Sequence, residues 1–208
     1  MNSSRLTVGI VDYGIGNQTS MVRCIQKMGY RAILSDSSKI LERTNVLLLP
    51  GVGAFPLAME QLHTKGLVDF LKQTAAKGKP LIGVCLGMQL LTNSSTEQEF
   101  TLGLGIIPGA VESIVNPRWH IGWNDLEVND NQPLLQPSNN EMMYFNHSYC
   151  YFGSKEWIAA TCKVKDDGHT IVAAIRKGLI WGFQFHPEKS QHQGFEMLKR
   201  LIISGVES

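Results

Sequence analysis

The sequence lacks any long apolar run, and this absence excludes several classes of protein. Its longest runs, at residues 46–49 and 81–86, are strand-sized, whereas a membrane-spanning helix needs about 20 apolar residues. The sequence also lacks a basic tract, since 19 Lys and Arg residues nearly balance 18 Asp and Glu residues. Neither nucleic acid nor an anionic membrane surface is therefore indicated as a partner.

Cysteine is scarce, and its spacing argues against a metal site. Cys24, Cys85, Cys150 and Cys162 form no metal-ligand pairs, and no His-Glu-x-x-His motif is present. We therefore predict no metal and no other cofactor. A chain of 208 residues can bury a large core without disulfides, and its first residues contain no hydrophobic signal region. We expect free thiols, a cytoplasmic location and a single domain over residues 1–208.

The first half of the chain alternates between strand and helix patterns. The predicted elements are strand 6–11, helix 18–28, strand 31–34, strand 46–49, helix 57–77 with a break at Gly66, strand 80–84 and helix 86–92. Because the strands are apolar on both faces, the pattern predicts an α/β fold with a mostly parallel, doubly wound sheet. Helices are expected on both faces of that sheet.

The second half predicts antiparallel additions to this sheet. Short apolar segments are separated there by polar turns, and a closing helix follows them. The predicted strands and final helix are 110–115, 142–145, 157–162, 171–175 and 194–203.

The pentapeptide Gly83-Val84-Cys85-Leu86-Gly87 follows a predicted strand and precedes a predicted helix. A nucleophile elbow requires this context, because the turn strains the nucleophile's backbone and needs small neighbours. The start of the helix offers free N–H groups and a positive dipole end, which favour a thiolate. The alternative is that Cys85 is a small buried hydrophobic residue between two convenient glycines.

The tripeptide His186-Pro187-Glu188 supplies the other parts of an activated thiol. Proline biases His186 toward an extended conformation, in which side chains two residues apart share a face. The imidazole could then act as a base for Cys85, with the Glu188 carboxylate orienting it.

Two glycine-rich segments follow other strands. Pro50-Gly51-Val52-Gly53 could bring N–H groups close to a substrate carbonyl as an oxyanion hole, although by itself the segment favours a plain strand-ending turn. Residues 12–17 contain Gly14 and Gly16, but Thr19 stands where a dinucleotide fingerprint needs its third glycine. We therefore reject NAD or FAD binding.

The motifs together resemble the triad, or class I, glutamine amidotransferases, and within them the glutaminase subunits of imidazole glycerol phosphate synthases. The matching stretches follow the family order and cover nearly the whole chain. They are residues 11–17, 49–55, 83–91, 103–109, 120–124, 144–149 and 182–190.

The resemblance implies a role for each matching residue. Cys85 would attack the side-chain amide of glutamine, His186 would carry the proton to departing ammonia, and Glu188 would orient His186. Leu86 and the Gly51-Val52-Gly53 strand would stabilise the oxyanion. The positions that hold substrate glutamine in the family are Gln89, Glu97, His147, Ser148 and Tyr149.

The resemblance also implies a heterodimer partner, a (β/α)8-barrel synthase subunit that receives the ammonia and forms imidazole glycerol phosphate and AICAR in histidine biosynthesis. The interface would include Tyr13 to Asn17, and His120, Trp123 and Asn124. Three departures from the family pattern are Trp119 in place of proline, a short segment 111–118, and Asn146 in place of valine.

Three alternatives remain open at this point. The first alternative is a paralogous subunit that supplies ammonia to amidate a surface-polysaccharide sugar. It stays open because the first two departures lie near the expected partner surface. A non-catalytic scaffold that binds a barrel partner is the second, although the intact Cys85, His186 and Glu188 argue against it. A stand-alone thiol hydrolase of similar fold is the third.

Overall fold

A nine-stranded sheet forms the centre of the molecule, and five of its strands are parallel. The computed structural model describes residues 6–16, 18–114, 119–164 and 169–207. In this part of the chain the strands are β1 (Thr7–Val11), β2 (Arg31–Ser35), β3 (Val46–Gly51), β4 (Leu81–Cys85), β5 (Ser94–Ser95), β6 (Thr101–Leu102), β7 (Ala110–Ser113), β8 (His120–Val128), β9 (Met142–His147), β10 (Tyr149–Phe152), β11 (Ile158–Lys163), β12 (Thr170–Lys177) and β13 (Ile180–Phe183).

The strand order of the main sheet is β2-β1-β3-β4-β13-β12-β11-β8-β9. Strands β2, β1, β3, β4 and β13 are parallel, and every later neighbour pair is antiparallel. A second, four-stranded sheet has the order β10-β7-β5-β6. The predicted fold class, a mostly parallel doubly wound sheet with antiparallel additions, is therefore confirmed.

Helices cover both faces of the main sheet, as its two apolar faces require. They are α1 (Gln18–Lys27), α2 (Ser38–Glu42), α3 (Phe55–Thr64), α4 (Leu67–Ala76), α5 (Leu86–Leu90) and α6 (Gln191–Glu207), with 3-10 turns at Gln136–Ser138, Lys155–Trp157 and Pro187–Lys189. Helices α1 and α6 pack with one set of strand side chains, and α2 to α5 pack with the other set. No helix in the described ranges is long and apolar enough to cross a membrane.

The elements differ from the predicted ones in a few places. Helix α3 ends at Thr64 and α4 begins at Leu67, so the predicted break at Gly66, which has φ of 65°, is confirmed. The predicted elements did not include the short helix α2 or the strands β5, β6, β8, β10 and β13. Strand β7 ends at Ser113, and the rest of the predicted strand beyond residue 114 lies outside the described residues.

Parallel pairing brings three strand ends to one edge of the sheet. Gly51 is in register with Cys85, and Val84 is in register with Phe183. In an open α/β sheet, ligands bind beyond the carboxyl ends of the strands. The three segments that follow β3, β4 and β13 therefore lie close together, and the candidate site lies among them.

Candidate active site

Cys85 has the strained backbone of a nucleophile elbow. It ends β4 with φ of 54° and ψ of −113°, a conformation that a residue with a side chain rarely adopts. The next residue begins α5. A β-carbon on Gly87 would overlap the carbonyl oxygen of Leu49, and one on Gly83 would lie 2.6 Å from the Gly87 oxygen. The glycines on both sides are thus required by packing, as the elbow interpretation predicts.

His186 and Glu188 form a buried pair. The His186 Nδ1 atom lies 3.0 Å from Glu188 Oε1. His186 itself is extended, with φ of −103° and ψ of 95°, but Pro187 begins a 3-10 turn. The expectation of a continuous extended chain was therefore wrong for residues 187–189. Glu188 reaches the ring because the turn folds back.

The protonation of His186 depends on its two neighbours. Burial lowers its pKa, but hydrogen bonds to Cys85 and Glu188, together with the charges of these groups, outweigh burial and raise the pKa to about 9. Since Nδ1 faces the carboxylate, Nε2 is the nitrogen left for the thiol. The imidazole is thus placed to take the proton of the thiol, and the thiolate is the reactive form of cysteine.

The sulfur of Cys85 has two further polar neighbours. Its thiol donates to the carbonyl oxygen of Asn146 at 3.9 Å, and the Nε2 amide of Gln184 donates to the sulfur at 3.9 Å. The sulfur therefore has an acceptor for its proton on one side and a donor on the other.

A cleft of about 320 Å³ opens above the sulfur. Ten of the predicted site residues line it, and Asn146 and Lys189 line it as well. Gly51 and Glu188 do not: Gly51 is buried at the end of β3, and Glu188 lies behind His186. The lining residues are Val52, Gly53, Cys85, Leu86, Gln89, Glu97, Asn146, His147, Ser148, Tyr149, His186 and Lys189.

Glu97 places a carboxylate in the cleft. One of its oxygens, Oε2, accepts a hydrogen bond from the Phe55 backbone N–H at 2.9 Å. Burial raises the pKa of Glu97, although the bond from Phe55 acts in the opposite direction. A carboxylate fixed in this way suits a ligand that brings a positive charge.

Gln89 is anchored through its amide nitrogen. Nε2 donates to the Tyr149 carbonyl oxygen at 3.0 Å and to Gln184 Oε1 at 3.1 Å. An amide nitrogen carries only two hydrogens. Toward a ligand in the cleft, Gln89 can therefore act only as an acceptor, through Oε1.

A chain of buried side chains stabilises the wall of the cleft at His147. Burial lowers the pKa of His147 to about 3, so the ring is neutral. Its Nδ1 donates to the Tyr149 carbonyl oxygen at 2.9 Å, and its Nε2 lies 3.0 Å from His120 Nδ1. His120 Nε2 lies 2.8 Å from Asn124 Oδ1, while Asn124 Nδ2 donates to the Lys163 carbonyl oxygen at 2.6 Å. The two ring nitrogens of His120 thus link His147 to Asn124.

The residues expected at a partner interface lie at different depths. Tyr13 is fully buried and its hydroxyl donates to the Pro50 carbonyl oxygen at 2.8 Å. His120 and Asn124 are also buried, whereas Trp123 is half-buried against Tyr144, with ring centroids 5.7 Å apart. Asn17 lies outside the described residues.

Exposed apolar side chains flank His120 at the start of β8. Trp119 is 65% exposed and Ile121 is 60% exposed. A direct contact with a partner would therefore fall to Trp119, Ile121 and Trp123. The buried His120 and Asn124 lie in β8 next to these residues, whereas Tyr13 lies after β1 and contacts Pro50.

Three residues near the reacting groups were not predicted. Asn146 and Lys189 line the cleft, and Gln184 lies beneath the sulfur. Gln184 had a signal in the sequence, because it stands two residues before His186 and shares its face in extended chain. The contact between the Asn146 carbonyl and the thiol depends on packing between distant segments, which no local pattern indicates.

Comparisons with known proteins agree on one family. The model of the family described as glutamine amidotransferase class-I matches residues 9–204. A relative from Listeria monocytogenes serovar 1/2a is named imidazole glycerol phosphate synthase subunit HisH. It is 43% identical over 196 residues, which cover 91% of this chain and 92% of the relative. A protein of the same name from Streptococcus gordonii is 39% identical over 195 residues, covering 92% and 93%.

Solved structures agree with the fold. One titled as a glutamine amidotransferase superimposes with a TM-score of 0.76 at 20% identity, covering 97% of this chain and 99% of the other. The structure titled PurLQS from Thermotoga maritima has a TM-score of 0.72 at 16% identity, with 98% of each chain covered.

Proposed function

The chain belongs to the class-I glutamine amidotransferase family, and from that premise we propose that it supplies ammonia from glutamine for imidazole glycerol phosphate synthesis in histidine biosynthesis. The observation that carries the chemistry is the His186–Glu188 pair next to Cys85 on its strained elbow. We assign glutamine hydrolysis to these three residues and treat residues 1–208 as one cytoplasmic amidotransferase domain.

The reaction begins with the thiolate. The Cys85 sulfur attacks the side-chain carbonyl carbon of glutamine and forms a tetrahedral intermediate with a negative oxygen. The Leu86 N–H and the Gly51-Val52-Gly53 segment stabilise that oxygen. His186 then gives its proton to the departing nitrogen, which leaves as ammonia. The product on the enzyme is a γ-glutamyl thioester.

Hydrolysis of the thioester completes the cycle. His186 accepts a proton from water, the resulting hydroxide attacks the thioester carbonyl, and glutamate leaves as the thiolate re-forms. Glu188 keeps Nδ1 of His186 protonated through both halves of the reaction, so that Nε2 remains the nitrogen that exchanges protons.

The cleft suits the polar groups of glutamine. The carboxylate of Glu97 complements the α-ammonium group, and Oε1 of Gln89 accepts from a substrate N–H group. His147, Ser148 and Tyr149 form the opposite wall and hold the substrate's other end. No cofactor is needed for any of these steps.

The acceptor of the ammonia is a partner subunit, which we propose to be a (β/α)8-barrel synthase in a heterodimer. Trp119, just before β8, and Ile121, within it, are exposed, and Trp123 is half-buried in the same strand. By contacting these residues the partner would cover the cleft, with Tyr13, Asn17, His120 and Asn124 at or beneath the contact. The ammonia would then pass to the partner without reaching bulk solvent.

The alternative acceptor, a surface-polysaccharide sugar, is not favoured. The relatives described above carry the name of the histidine-pathway synthase and match more than nine-tenths of the chain. The departures at Trp119 and Asn146 leave the groups that carry the chemistry unchanged.

One experiment tests the proposal. Glutamate release from glutamine is measured with the purified chain alone, and with the histidine-pathway barrel subunit of the same organism plus its nucleotide ligand. Strong activation by the barrel supports the proposal. If the barrel is active with ammonia but does not raise glutamate release, the assignment to histidine biosynthesis is wrong.

A further inference from the structure

Gln184 is a fully buried amide next to the nucleophile. Its backbone N–H donates to the Ala173 carbonyl oxygen at 2.9 Å, which extends the pairing of β13 with β12 by one residue. The alternating chain sends Phe183 and Phe185 into the core. The side chain of Gln184, which stands between these two residues, contacts Gln89 and Cys85 instead.

The orientation of the Gln184 amide is fixed by its neighbours. Its Oε1 accepts from Gln89 Nε2 at 3.1 Å, and Gln89 Nε2 also donates to the Tyr149 carbonyl oxygen. A reversed Gln184 amide would place two NH2 groups against each other. The nitrogen end must therefore face Cys85, whose sulfur lies 3.9 Å from Nε2.

We propose that Gln184 is a further catalytic residue, which donates a hydrogen bond to the Cys85 thiolate during the attack on substrate. This inference rests on the proposed thiol chemistry. In the thiol form the Cys85 proton has the Asn146 carbonyl as its acceptor. Once His186 has removed that proton, the carbonyl can no longer stabilise the sulfur, whereas the Gln184 N–H can.

Burial strengthens the hydrogen bond from Gln184 to the Cys85 thiolate. Gln184 is 0% exposed, and a hydrogen bond to a charged group is stronger where water is excluded. Gln184 does not line the cleft, because Cys85 and Gln89 lie between it and the substrate. Its loss should therefore lower kcat for glutamine and leave KM little changed.

The reactivity of the thiol tests the proposal without any substrate or partner. The rate of Cys85 alkylation by iodoacetamide is followed against pH in the whole chain, with the modified peptide identified by mass spectrometry. Gln184→Met removes the N–H donor at nearly constant volume. We expect the pH midpoint of alkylation to rise by about one unit, and the rate at neutral pH to fall about tenfold.

Gln132→Met is the matched control. Gln132 is a buried amide that accepts from Arg176 at 3.0 Å and does not line the cleft. Both substitutions remove a buried acceptor, so both should lower the unfolding temperature, but only Gln184→Met should move the Cys85 midpoint. An unchanged midpoint in folded Gln184→Met overturns the proposal.

A second variant covers the case in which Gln184→Met does not fold. Gln184→Asn keeps the amide but withdraws it from the sulfur by one carbon–carbon bond, and it should raise the midpoint in the same direction. If Asn leaves the midpoint at the wild-type value, the proposal is wrong. Since alkylation needs no glutamine, a shifted midpoint in a chain that never releases glutamate would refute the proposed function alone.

Discussion

The His186 Nδ1 atom lies 3.0 Å from Glu188 Oε1, and each of these side chains is 4% exposed. Of the two carboxylate oxygens of Glu188, only Oε1 has a partner among the described residues, while Oε2 is buried without one. The carboxylate is thus committed to one task, which is to hold the imidazole by its Nδ1 hydrogen. This relationship separates the roles of the two residues and can be tested directly.

Glu188→Gln should retain more glutaminase activity than His186→Ala. Glutamine can still accept from Nδ1 in the position of Oε1, whereas alanine removes the group that moves the proton. We expect kcat to fall by about 10²- to 10⁴-fold for His186→Ala, and by less for Glu188→Gln. Steady-state glutamate release in the presence of the activated partner measures both. The reverse order would show that the two roles are misassigned.

The free energy of unfolding should depend on pH because His186 binds its proton with different affinity in the folded and unfolded states. The folded pKa of His186 is about 9 and the unfolded value is 6.5, so the folded state binds its proton more tightly. The stabilisation is fully present below pH 6.5 and is lost as pH rises through about 9. Urea unfolding of wild type and His186→Ala should show a difference that shrinks over this range.

His63→Ala serves as the control for that titration. His63 is exposed on α3 and does not line the cleft, so its replacement removes an imidazole but leaves the contacts between Cys85, His186 and Glu188 in place. A wild-type advantage over His186→Ala that grows with pH would contradict the assignment.

Cys85→Ala should abolish glutamine-dependent synthesis by the complex and preserve ammonia-dependent synthesis. Since the proposed function places the acceptor chemistry in the partner, loss of the thiol should remove only the source of ammonia. Cys162→Ala is the control, because Cys162 is buried in β11 and does not line the cleft. Loss of both activities in correctly assembled Cys85→Ala complex would contradict the division of labour.

Trp123→Ala should weaken binding of the partner by about tenfold or more, since half-buried aromatic residues commonly dominate interfaces. Its effect on the fold should be smaller, because Trp123 contacts Tyr144 at the edge of the sheet. Trp157→Ala removes an equally half-buried indole elsewhere and should leave affinity unchanged. Calorimetric titration measures the affinities, and unfolding of the lone Trp123→Ala subunit would show that Trp123 belongs to the core.

Gly87→Ala should destabilise the chain by about 3 kcal/mol, because the added methyl group overlaps the Leu49 carbonyl and pushes α5 away from β3. Gly105→Ala should cost only about 1 kcal/mol. Gly105 has φ of 63°, but a β-carbon there meets nothing within 4 Å. Urea unfolding gives both values, and equal costs would mean that packing at the elbow is loose.

Four of the five parallel strands could be predicted because they are apolar and alternate with helices. The fifth, β13, was not predicted: it is four residues long and follows β12 without an intervening helix. The strand β8 could not be predicted either, since Gly122, Asn124 and Asp125 are uncommon in strands. Its pairing with β9 and β11 decides its conformation, and that pairing joins distant segments. Helix α2 is only five residues long and shows too little periodicity to be recognised.

The parts of the candidate site that depend on local sequence spacing could be predicted. Cys85 stands between glycines that the elbow requires, and His186 is two residues from its carboxylate. The sequence does not reveal which neighbours surround the sulfur, because Asn146 and Gln184 reach it from segments 61 and 99 residues away. Nor does it reveal that His120 and Asn124 are buried, since both lie in a motif that also contains exposed residues.

The place of β13 in the sheet has a consequence for protein synthesis. This strand lies between β4 and β12, although β4 leaves the ribosome long before it. A nascent chain that contains Cys85 but has not yet been extended to β13 lacks both His186 and the strand that joins the two halves of the sheet. Under the proposed mechanism its thiol therefore has no proton acceptor in His186, and glutamine hydrolysis begins only after this region has been translated.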